Sequence, residues 1–142
     1  MKTITKFGSL TKYIPELKND EFGEWIVDKE NDGTPEHPKQ MPYVIYSKKV
    51  HAFIDDFHQI LGLNKDMGLD RYSAILEANC IKWEENSMQQ VDVSKLSEQC
   101  VLALILAAIR AERFFDGTLL DFFQTGTVHK WLERLKAIDE ES

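Results

Sequence analysis

Nine consecutive residues, Val101-Leu-Ala-Leu-Ile-Leu-Ala-Ala-Ile109, carry no polar side chain. A helix that is apolar around its whole circumference stays in water only if other elements enclose it on every side. Crossing a bilayer takes about 20 such residues, so this run is too short for a membrane span. It therefore predicts a buried central helix over 94–116, with the remaining chain arranged around it. Gly117 is placed to end that helix in the left-handed conformation open to glycine.

The flanking segments read as helices of the ordinary half-buried kind. Ser47 is an N-cap for a helix over 48–61, in which Val50, Phe53, Ile54, Phe57 and Leu61 recur at helical spacing. A second helix is expected over 70–79, with Tyr72, Ile75 and Leu76 apolar. After Gly117, Thr118 is positioned to cap a short helix over 119–124. Gly126 and Thr127 repeat the device before a last helix over 128–138, whose apolar side is Val128, Trp131, Leu132 and Leu135. Near the start, 9–18 suits a short helix capped by Ser9 or Thr11, with Pro15 near its first turn. Residues 28–42, with Gly33, Pro35, Pro38 and Pro42, form the longest candidate loop. In 80–93 Ile81 and Trp83 alternate with polar residues, the pattern of a short strand or an extended loop. The expectation is an all-α, mostly helical single domain over 1–142: a compact helical array around the helix 94–116. A long irregular N-terminal loop and room for one short strand pair complete it. At 142 residues the chain has the length of one domain.

Charge narrows the partners. The formal net charge is −7, with 17 Lys and Arg against 24 Asp and Glu. Nucleic-acid binding draws its affinity from basic side chains on phosphates, so nucleic acid is not an expected partner. The first six residues lack the apolar stretch of a secretory signal. Cys80 and Cys100 sit in apolar surroundings without a paired metal-ligand spacing and read as two reduced, buried thiols. A cytoplasmic protein without membrane attachment is expected.

Three clusters invite chemistry. Asp28, Glu30 and Asp32 fall at positions 1, 3 and 5 of a calcium-loop pattern with Gly33 at 6, but position 12 is Lys39, where a bidentate Glu is required. Turn formation explains the same residues. His51, Asp55 and His58 share one side of a helix, which reads as its solvated face, and no metal is expected there. Arg110, Glu112, Arg113 and Asp116 crowd the end of the apolar helix. Their charges need partners where they emerge from a buried element. Acidic groups such as Glu24, Asp28 and Asp32 qualify, giving either structural ion pairs or a polar pocket that recognises an anion. Trp25, beside Glu24, would line such a pocket, although each tryptophan (Trp25, Trp83, Trp131) is a core or seam residue by default. No phosphate loop, dinucleotide fingerprint or nucleophile elbow is present, and neither cofactor nor enzyme is indicated.

Several stretches taken together resemble an uncharacterised bacterial family, domain of unknown function number 6508. They are Phe22-Gly23-Glu24-Trp25, the run Asp28 to Pro38, Arg110 to Gly117, and Trp131-Leu132-Glu133-Arg134-Leu135. The resemblance covers about residues 10 to 138. It implies a bacterial or phage source, adds weight to the loop and the Arg-Glu-Arg cluster, and brings no activity, cofactor or partner.

The leading functional expectation is a non-enzymatic binding domain. Its polar site would form where loop 24–38 meets the end of the apolar helix, from Glu24, Trp25, Asp28, Asp32, His37, Arg110, Glu112, Arg113 and Asp116. An unknown partner protein or a small anionic ligand would suit it. The alternative is a small hydrolase or transferase using Glu24, Asp28, Asp32 or His37 as acid–base groups. The doublets Phe114-Phe115 and Phe122-Phe123 add a third option, a homodimer, because adjacent helical residues point about 100° apart and one ring of each doublet is hard to bury.

Overall fold

The computed structural model describes residues 6–17, 22–39 and 42–141. The molecule is mostly helical. In chain order its elements are α1 (Gly8–Thr11), α2 (Ile14–Leu17), β1 (Gly23–Ile26), β2 (Tyr43–Tyr46), α3 (Lys48–Leu63), α4 (Tyr72–Ala78), α5 (Glu85–Gln90), α6 (Glu98–Ala111), α7 (Thr118–Gln124) and α8 (Thr127–Glu141). Short 3-10 turns fill Lys65–Met67, Leu69–Arg71 and Val93–Lys95.

The apolar run lies in α6, where every residue from Cys100 to Ala108 is buried. α4, α7 and α8 all pack against it. The helix is shorter than its sequence suggests at both ends. Asp92 accepts from the Ser94 amide and diverts the chain into a 3-10 turn, so Ser97 becomes the cap, accepting from the Cys100 amide at 3.2 Å. At the other end the amides of Phe114 and Phe115 both donate to the Ala111 carbonyl, which closes the helix at Ala111. α3 starts as expected, with the Ser47 hydroxyl accepting from the Val50 amide, and buries Val50, Phe53, Phe57 and Ile60. Among the described residues, no helix is long and apolar enough to cross a membrane.

Several expectations are corrected. The helix over 9–18 forms as two turns, α1 and α2, and Lys18 lies outside the described residues. A continuous helix would set the Pro15 ring against the carbonyl of Thr11; the break puts Pro15 in the first turn of α2, where it costs little. Neither Ser9 nor Thr11 caps α1. That task falls to Asp139 of α8, a buried carboxylate that accepts from the amides of Lys6 and Phe7, both at 3.0 Å.

Among the described residues, the one short strand pair forms from Gly23–Ile26 and Tyr43–Tyr46, and 80–93 holds no strand. β1 and β2 pair antiparallel, Gly23 opposite Tyr46 and Trp25 opposite Val44, so the long loop is the arm of a hairpin. In 80–93 the chain turns at Cys80 (φ 60°), buries Ile81 and enters the helix α5. Cys80 is thereby exposed; only Cys100 is buried, and burial pushes its thiol up to about 11.

Candidate functional site

Glu112, expected to belong to a polar ligand site, holds the corner between α6 and α7. Its carboxylate accepts from the Gly117 amide at 3.0 and 3.1 Å and from the Leu119 amide at 3.0 Å. These are the unsatisfied amides at the start of α7, where the helix favours negative charge. Thr118 does not cap; its hydroxyl donates to the Phe115 carbonyl. The Tyr46 hydroxyl stands near Glu112 and accepts from the Leu120 amide at 3.0 Å, which fastens β2 to the same corner. Burial first, then Glu112, hold that phenol well above its usual range. Gly117 has φ 91°, and a Cβ there would fall on the benzo ring of Trp25, within 2.8 Å of Cη2. Trp25 is thus a seam residue against Gly117, still 46% exposed.

The hairpin meets the corner between α6 and α7, through the Trp25 ring at Gly117 and through Tyr46 at Leu120. Among the described residues, neither the Arg110 nor the Arg113 guanidinium makes an ion pair. Arg110 lines a different cleft of about 380 Å³, with Asn64, Lys65 and Asp70. Arg113 and Asp116 are exposed. In the loop, Asp28 accepts from the amides of Glu30 and Asn31 and from the Asn31 side chain. Asp32 accepts from the Thr34 amide, a hydrogen bond that lowers its pKa. Glu24 and His37 are exposed, and His37 bridges to Thr34 through its backbone. His51, Asp55 and His58 are exposed along α3.

The corner that Glu112 holds presents Phe114 and Phe115 outward, 69% and 71% exposed. Together with Trp83, Met88, Ala111, Thr118 and Phe122 they line a groove of about 560 Å³. Leaving two phenylalanines in water forgoes roughly 1.5–3 kcal/mol of burial each, a large sum beside a typical domain stability of about 5–15 kcal/mol. The far wall is fixed in place. The Trp83 indole N–H donates to the Ala107 carbonyl at 3.1 Å, and its ring lies edge-to-face with Tyr72 (5.5 Å) and with Phe114 (6.3 Å). Glu84 and Glu85 complete the lining. Burial against the apolar wall, then the hydrogen bond and charge of Asp121, raise the Glu85 pKa.

Sequence reasoning missed Trp83, Glu84 and Glu85. Trp83 and Glu84 precede, and Glu85 opens, a six-residue helix whose one buried residue is Met88, too short for a periodic signal. The usable signal was the Phe114-Phe115 doublet, set just beyond the end of a buried helix.

The model of a family of unknown function, DUF6508, matches residues 3–141 of the chain. No curated protein and no solved structure matches it.

Proposed function

The chain belongs to the family of unknown function DUF6508, and from its groove we propose that it is a non-enzymatic interaction domain that seats an apolar side chain of a partner protein between Trp83 and Phe114-Phe115. The observation that carries this reading is the exposure of both phenylalanines beside an already ordered tryptophan. Large apolar patches left open on an otherwise well-packed surface mark interaction sites, and aromatic residues are the usual anchors of such interfaces. Rigidity of the Trp83 wall lowers the ordering cost of binding.

Phenethyl alcohol, an uncharged stand-in for the anchoring side chain, tests the reading. Titrated at millimolar concentration against the isotope-labelled protein, it should cause saturable amide shifts around Trp83, Phe114, Phe115 and Thr118. These should vanish in the double variant Phe114→Ser/Phe115→Ser, which keeps its fold because both rings are already exposed. Absent or non-saturable shifts overturn the proposal.

A small anionic ligand has one observation in its favour, the Arg110 guanidinium, which makes no ion pair among the described residues and lies beside Lys65 in the second cleft. Asp70 in the same cleft opposes it. Phosphate that shifts the Arg110 side-chain resonance in the native protein, with no effect in Arg110→Ala, supports this second reading; silence ends it.

A further inference from the structure

We infer that the anchor taken by the groove stands next to a positive charge, so that the partner presents an apolar side chain beside a lysine or arginine. This rests on the groove being the binding face. Among the described residues the lining contains no lysine, arginine or histidine, whereas Glu84 and Glu85 belong to it and Asp121 stands against Glu85. Both side-chain donors in the lining are already engaged. The Trp83 indole N–H goes to the Ala107 carbonyl and the Thr118 hydroxyl to the Phe115 carbonyl. An anionic group entering the groove would find carboxylates and no free side-chain donor. A cation would find two carboxylates that repel each other, and the faces of half-exposed aromatic rings, which attract positive charge.

The same charges argue against a second copy as occupant. In a two-fold interface the same patch lies on both sides. That would bring Glu84, Glu85 and Asp121 into one interface with their own counterparts, in a chain of net charge −7. A basic partner relieves the Glu85–Asp121 repulsion; an identical chain adds to it.

Three probes with a common ring separate the possibilities: phenethylamine, phenethyl alcohol and phenylacetate. We expect the protonated amine to bind about tenfold more tightly than the alcohol, from one exposed ion pair plus one cation–π contact, and phenylacetate to bind most weakly. Added salt should weaken the amine alone. In Glu85→Gln/Asp121→Asn the preference for the amine over the alcohol should shrink to the part due to the cation–π contact. Equal binding of all three, or a preference for phenylacetate, overturns the inference and leaves the apolar groove standing. No binding by any of them removes the groove reading and this inference together. Concentration-dependent dimerisation in size-exclusion light scattering, abolished by Phe114→Ser/Phe115→Ser, assigns the face to a second copy and also overturns it.

Discussion

The chain contains the dipeptide Phe-Phe twice, and the two copies meet opposite fates. Phe122 and Phe123 are both buried; Phe114 and Phe115 are both largely exposed. In α7 the two rings point to different sides, and each side is occupied. Phe122 meets Trp131 at 5.4 Å, while Phe123 stacks on Phe22 at 5.3 Å and meets Phe53 edge-on at 5.8 Å. The first doublet sits in the corner after α6, where the chain has left the buried row and Glu112 fixes its course. Residue type sets the free energy available from burial; the neighbouring element decides whether it is collected.

The sharpest way to break this contrast is truncation. Phe122→Ala should cost about 3–5 kcal/mol as a buried aromatic deletion, whereas Phe114→Ala should stay within about 0.5 kcal/mol, both read from urea unfolding. Similar losses at the two sites would show that Phe114 is not free in solution. The corner itself comes next. Gly117→Ala must adopt a positive φ and displace the Trp25 ring, for an expected loss of roughly 1–3 kcal/mol. Adding Trp25→Ala should recover the part due to the ring and leave the backbone strain. Glu112→Ala strands the Gly117 and Leu119 amides, and about 1–3 kcal/mol should be lost. Because the corner would relax, phenethyl alcohol binding should weaken as well.

The smallest effect concerns pH. Glu85 has a folded-state pKa raised above its unfolded value, first by burial and then by Asp121. Its favourable contribution is full below the ordinary carboxylate range near 4.5 and is lost as pH rises through the raised folded value. Glu85→Gln should therefore be slightly more stable than the native chain at neutral pH, with the advantage disappearing in acid. An advantage that persists at low pH would mean that charge is not its cause.

Much of the fold was legible because its signals are local. The Ser47 cap, the stripe Val50 to Leu61 and the apolar run Val101 to Ile109 each lie within a few turns of one helix. The misreadings share a physical cause, which is interaction across long sequence separation. β1 and β2 pair across a 16-residue connection, and nothing in Gly23-Glu24-Trp25-Ile26 alone names its partner strand. Glu112 was singled out for its charge, yet its role is set by amides five and seven residues onward, exposed only because the helix stops at Ala111. For the groove, Trp83 precedes α5 and Phe114 follows α6, and no spacing rule joins them.

The contact between Asp139 and the amides of Lys6 and Phe7 has a consequence for the order of events in synthesis. The carboxylate that caps α1 is made more than 130 residues after the amides it binds. While the chain is being extended, the first helix has no cap, and Phe7 and Leu10 have neither α8 nor the finished core to cover them. A segment made before every other element described is thus among the last to be secured, and nascent chains stopped short of Asp139 should expose that segment to proteases and chaperones until the last turn of α8 arrives.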